Sequence, residues 1–85
     1  MQYLINVIPA EITTTYNDLN WNLARYGAPV QISPFSWVIY TELDSESLCV
    51  VTKKYLNDGD AVFACNFEFW NQRGLPQEIV KRLNN

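Results

Sequence analysis

From Asp60 to Trp70 the chain reads Asp-Ala-Val-Phe-Ala-Cys-Asn-Phe-Glu-Phe-Trp, an alternation with a period of two. Ala61, Phe63, Cys65, Phe67 and Phe69 share one parity; Val62, Ala64, Asn66 and Glu68 share the other. Successive Cβ atoms of an extended chain point to opposite faces, so the spacing predicts a long strand with its aromatic parity on a core. Tyr3 to Ile8 is short, apolar and partly β-branched, which suits a central strand, and Pro9 ends it by removing a ladder donor. Thr13 to Thr15 offer an N-cap, Asp18 lies in a first helical turn, and Tyr16, Leu19, Leu23 and Tyr26 recur at helical spacing. Gly27 falls where a left-handed C-cap belongs, with Pro29 blocking continuation. Trp21 lies off that stripe.

Val30 to Ser33 and Phe35 to Glu42 read as two strands of a hairpin bent at Ser33-Pro34. Asp44 or Ser45 caps a second helix, Glu46 favours its first turn, and Leu48, Val51, Tyr55 and Leu56 supply its inward stripe. Asn57-Asp58-Gly59-Asp60 is a turn cluster leading into the long strand. Gln72-Arg73-Gly74 interrupts the chain, and Leu75-Pro76 opens a terminal helix carrying Ile79, Val80 and Leu83. The order is strand, helix, strand, strand, helix, strand, then a short helix. That string predicts an α+β, ferredoxin-like βαββαβ domain over residues 1–85: a four-stranded antiparallel sheet, two helices on one face and a short C-terminal helix. Right-handed crossovers place the first and third strands centrally and leave the last at an edge.

A long apolar edge strand is a template for further pairing. Its simplest cover is a second copy of the chain in a twofold dimer, with Phe67, Phe69 and Trp70 at the contact. Trp21 and Glu68 are the expected contacts to a different protein partner.

Composition narrows the chemistry. The chain has no histidine, which removes every imidazole mechanism, and its three glycines are too scattered for a phosphate loop. Six basic against nine acidic residues give net charge −3, a poor match to a phosphate backbone. Lys53, Lys54, Lys81 and Arg82 fall near helix ends, where they complement the dipole. Cys49 and Cys65 lack zinc spacing and read as reduced, buried thiols. Asp58-Gly59-Asp60 lacks the twelve-residue calcium loop and reads as turn chemistry. Trp37, Phe67 and Phe69 could stack bases on an open sheet, but the strands carry almost no Lys or Arg, so these rings are expected against helices or a dimer mate. No secretory signal or membrane-length apolar run is present in the sequence, and the expectation is a cytoplasmic protein, in host cytoplasm if viral.

Tyr3-Leu4-Ile5, Tyr26-Gly27, Ser36-Trp37-Val38-Ile39-Tyr40-Thr41 and Leu56-Asn57-Asp58-Gly59-Asp60-Ala61-Val62-Phe63 fall in the order seen in another group of small domains. In this pattern the chain resembles the CRISPR-associated protein 2 superfamily, most of all its small SinR-like members. The resemblance implies a ferredoxin-like homodimer. It also implies either a metal-dependent nuclease or a non-catalytic scaffold joining a partner protein and DNA. The nuclease needs an acid at the end of the first strand; here Ile8 or Pro9 stands there, and neither can ligate a hard cation. The leading expectation is therefore a non-catalytic homodimeric protein-interaction module without cofactor. It suits a phage or mobile-element product that blocks a host nucleic-acid-handling or defence factor. The alternatives are a Mg²⁺ or Mn²⁺ nuclease with Glu11 or Asp44 as ligand, and a nucleic-acid-binding scaffold.

Overall fold

The computed structural model describes residues 1–84. It has four strands, β1 (Gln2–Ile8), β2 (Gly27–Ser33), β3 (Ser36–Thr41) and β4 (Ala61–Asn66). Its three helices are α1 (Leu19–Leu23), α2 (Ser45–Lys53) and α3 (Gln77–Leu83). The strands form one antiparallel sheet in the order β2-β3-β1-β4, with the first and third strands central and β4 at a margin, as the crossover rule requires. The architecture is α+β and compatible with a ferredoxin-like arrangement.

Tyr3, Ile5 and Val7 of β1, Trp37 and Ile39 of β3, Leu19 and Leu23 of α1 and Leu48 of α2 are buried together. One sheet face thus packs on α1 and α2 through residues of a single parity. The Asp44 carboxylate accepts from the Ser47 amide at 2.7 Å and starts α2, so of the two candidate caps it is Asp44, not Ser45, that serves. That bond holds the carboxyl below its usual range.

Several elements differ from the sequence reading. The first helix is a single turn and a half, and its N-cap, Asp18, makes no side-chain cap bond. Asn20 and Asn22 are poor helix formers, and the threonines before them remain outside the helix. The chain from Gly27 onward is instead drawn into β2, where it pairs with β3 at six positions and satisfies backbone groups on one side. Gly27 is therefore a strand residue without positive φ, not a left-handed cap. It is required for a different reason: a Cβ there would lie 2.1 Å from the Tyr40 carbonyl oxygen. Pro29 sits in β2, an outermost strand that tolerates a missing donor. The hairpin turns at Pro34-Phe35, between paired Ser33 and Ser36, one residue later than expected. Pro76 is the N-cap of α3 and not part of its first turn.

The largest correction concerns β4. It ends at Asn66, well short of Trp70, and its parity is reversed. Val62 and Ala64 pack toward the core, while Ala61, Phe63 and Cys65 face the opposite side. The register explains this. Val62 and Ala64 stand directly opposite Val7 and Ile5, whose side chains are committed to the core by β3 on their other flank. Both parities of β4 are apolar, so its own pattern could not choose a face. Its neighbour did.

Candidate functional site: an aromatic margin and the cleft beside it

The second sheet face carries Leu4 of β1, Val38 of β3 and Cys65 of β4 in one row across paired positions. After β4 the chain leaves the margin, crosses this face and lays α3 against β2 on the far side. Phe67 still donates its amide to the Gln2 carbonyl at 3.1 Å before the chain departs. Between the crossing segment and the sheet lies a cleft of about 310 Å³ lined by Leu4, Val38, Cys65, Phe67, Trp70 and Leu83, among others. A smaller hollow of about 110 Å³ adjoins it, sharing Gln2, Val38 and Leu83 and adding Tyr40 and Arg82.

The β4 margin itself has an unpaired side. Even-numbered β1 residues bond to β4, as the Phe67–Gln2 contact shows, and odd-numbered ones to β3, as the 2.7 Å bond from the Val7 amide to the Phe35 carbonyl shows. By the alternation of an antiparallel ladder, Ala61, Phe63 and Cys65 spend their backbone groups on β1. Val62, Ala64 and Asn66 direct theirs outward. Phe63, on this strand, is 56 % exposed; Phe69 at 89 % and Trp70 at 41 % exposure belong to the segment that lines the cleft.

Of the residues expected at a dimer contact, Phe69 and Trp70 are exposed in the segment after β4, where both also line the cleft, whereas Phe67 is half-buried in the cleft wall. Glu68 is exposed in the segment after β4, not on a strand face. Trp21 is exposed on α1, in the helical layer across the sheet from the aromatic cleft. Trp37, considered for base stacking, is wholly buried on the helical side. Phe63 is the residue missed. Its place in the alternating stripe is plain from the sequence, but the spacing predicts that stripe on the core.

The alternative metal ligands are not brought together. Asp44 follows β3 at the end of the sheet where β1 begins, and Glu11 follows β1 at the opposite end. Among the described residues no three His, Cys, Asp or Glu side chains gather as a metal would need. Glu11 does share a polar hollow with Asp58 and Asp60. There the buried Asp60 is fully engaged: one carboxylate oxygen accepts from the Ala10 amide at 2.9 Å. The other accepts from the Tyr16 hydroxyl at 2.8 Å and the Asn57 amide at 2.9 Å. The Ala10 amide, with help from Tyr16, Asn57 and the Lys53 ammonium, holds the Asp60 carboxyl below its usual range against the opposing effect of burial. Burial, reinforced by the bond to Asp60, pushes the Tyr16 phenol up to about 12. Lys53 also donates to the Asp60 backbone carbonyl. This constellation clasps the β1 exit to the β4 entry, a role the turn reading of Asp58-Gly59-Asp60 did not include.

Both cysteines are free thiols and half-buried, Cys49 on α2 and Cys65 in the cleft wall. No described helix is long and apolar enough to cross a membrane. Compared with family models, curated proteins and solved structures, the chain matches none.

Proposed function

We propose that this protein is a non-catalytic protein-interaction module of ferredoxin-like architecture that self-associates along β4 and presents the adjoining aromatic rings to a protein partner. One observation carries the reading: the terminal strand β4 offers three outward backbone positions and an exposed Phe63, with the exposed Phe69 and Trp70 following it in the chain. Unpaired strand edges flanked by exposed aromatics gain most from strand addition, since main-chain bonds supply affinity and rings bury area. A twofold antiparallel pairing centred on Ala64 sets Val62 of each copy opposite Asn66 of the other, and the two sheets become one. Ile8 and Pro9 at the β1 exit supply no oxygen ligand, which favours an interaction role over the metal-dependent cleavage of the superfamily resembled.

Light scattering on the purified chain tests this. The wild type is expected at twice the 9.9 kDa of one chain. Phe63→Lys places a charge at the aromatic margin and Asn66→Pro removes an outward donor without touching the β1 ladder; both are expected to yield folded monomers. A wild type that stays at the mass of one chain at about 100 μM, weaker than the affinities expected of a specific contact, overturns the association.

A further inference from the structure

We infer that the cleft under the C-terminal segment is a binding site for a free linear monocarboxylate of about twelve carbons, its chain in the apolar cleft and its carboxylate on Arg82.

The lining decides the ligand's character. Leu4, Val38, Phe67, Trp70 and Leu83 form the walls of the larger space, and the only polar side chains that line it besides the Cys65 thiol are amides, among them Gln2. Such a surface takes an uncharged hydrocarbon body. Arg82 is the one charged residue in the lining of either space, and no acidic group faces it from those linings. The two spaces adjoin, with Gln2, Val38 and Leu83 in both linings, and the ligand inferred here spans them. The Arg82 guanidinium fork matches a planar carboxylate, and Tyr40 and Gln2, which line the same hollow, carry further donor groups. The chain's net charge of −3 disfavours a multiply charged anion relative to a monoanion.

The volume sets the length. A dry cavity of about 150 Å³ accommodates benzene, or roughly 25 Å³ per carbon. On that scale the 310 Å³ cleft holds a chain of about twelve carbons. Nothing in this site uses the outward backbone of β4, so the inference does not rest on self-association, and the two are read by separate measurements.

The structure also supplies a reporter. Cys65 is in the cleft wall and Cys49 is on α2, so in Cys49→Ser protein any thiol labelling reports the cleft. Calorimetry with dodecanoate below its micelle concentration is expected to show one saturable site per chain, and bound dodecanoate is expected to slow Cys65 alkylation. Decanoate should bind roughly tenfold more weakly, through the loss of two buried methylenes. Dodecan-1-ol and the Arg82→Gln protein with dodecanoate should each show a loss of about tenfold, as one charge-assisted contact predicts. Arg82 is on the surface of α3, so the variant retains the fold, which its melting curve checks. Absence of saturable binding overturns the inference. Binding indifferent to Arg82→Gln, or binding that leaves Cys65 alkylation unchanged, overturns it equally, because the molecule then sits elsewhere.

Discussion

Gly27→Ala is the sharpest test of how β2 is held. The added Cβ would meet the Tyr40 carbonyl oxygen at 2.1 Å, its carbon at 3.0 Å and the Thr41 Cβ at 3.1 Å. The first is a backbone atom in the middle of a paired sheet, so no side-chain rotation relieves it. Ordinary contact begins near 3.4 Å, and the strands must part by more than an ångström to reach it. That parting strikes the Gly27–Thr41 pair and with it the buried Thr41 hydroxyl, which donates to the Tyr26 carbonyl at 2.5 Å and accepts from the Leu43 amide at 3.2 Å. Overpacking of this kind costs about 1–3 kcal/mol, and loosening a buried hydroxyl about 1 kcal/mol more. A total of about 2–4 kcal/mol corresponds to a fall in melting temperature of roughly 10–25 °C for a domain of this size. Gly74→Ala is the control. Its φ of +87° imposes the strain of a left-handed residue, about 1–2 kcal/mol, but no atom lies within 4 Å of the new Cβ. Urea unfolding of the three proteins, with amide exchange across β2, separates contact from conformation. Gly27→Ala should lose more stability than Gly74→Ala and should alone deprotect β2. If the two variants are equally stable, Gly27 is not kept by close approach and the account of this corner is wrong.

Other outcomes follow from the core and from the Asp60 clasp. Leu48→Ala, at a position with 0 % exposure, should cost about 2–5 kcal/mol by urea titration, a large share of the roughly 4–13 kcal/mol expected for 85 residues. Asp60 has a folded-state pKa below its unfolded value, so its stabilisation is complete above the ordinary carboxylate range and is lost as pH falls through the folded value. Stability should therefore drop below about pH 4, and Asp60→Asn should lower stability at pH 7 and shrink that acid limb; Asp44, depressed by the Ser47 amide, contributes the remainder. The Tyr16 phenol is shifted the other way, from 10.0 to about 12, so its contribution is whole below pH 10 and declines as pH rises toward 12. Urea midpoints measured between those values should fall less steeply in Tyr16→Phe than in the wild type.

Local rules were sufficient where a residue's role depends on its own neighbours. The α2 cap could be narrowed to Asp44 or Ser45 because such a bond is local: the Ser47 amide that Asp44 accepts from is three residues away. The order of elements, and with it the central position of the first and third strands, followed from strand and turn punctuation alone. What sequence could not convey was set across the sheet. Gly27 has the look of a helix stop, and only the opposing Tyr40 carbonyl shows why no side chain is permitted there. Asp60 reads as a turn residue until Ala10 and Tyr16, fifty and forty-four positions away, are seen to donate to it. The helical stripe through Tyr16 and Tyr26 was equally misleading: Leu19 and Leu23 are buried from α1, but Tyr16 lies before it, with its ring edge-on to Phe35 at 6.0 Å, and Tyr26 after it.

The reversal of β4 changes what its aromatic stripe is for. Had Phe63, Cys65 and Phe67 faced the helices, they would have competed for space already filled by Ile5, Trp37 and Leu48, each with 0 % exposure. Small Ala64 and Val62 suit that filled side, and the bulk is sent to the second face. There the stripe divides. Cys65, Phe67 and Phe69 line the cleft under the returning C-terminal segment, while Phe63 stays exposed on β4 itself. A chain of 85 residues has little apolar surface to spare for its own interior. It nevertheless leaves Phe63 exposed on the marginal strand β4, while the rest of the stripe lines the apolar cleft.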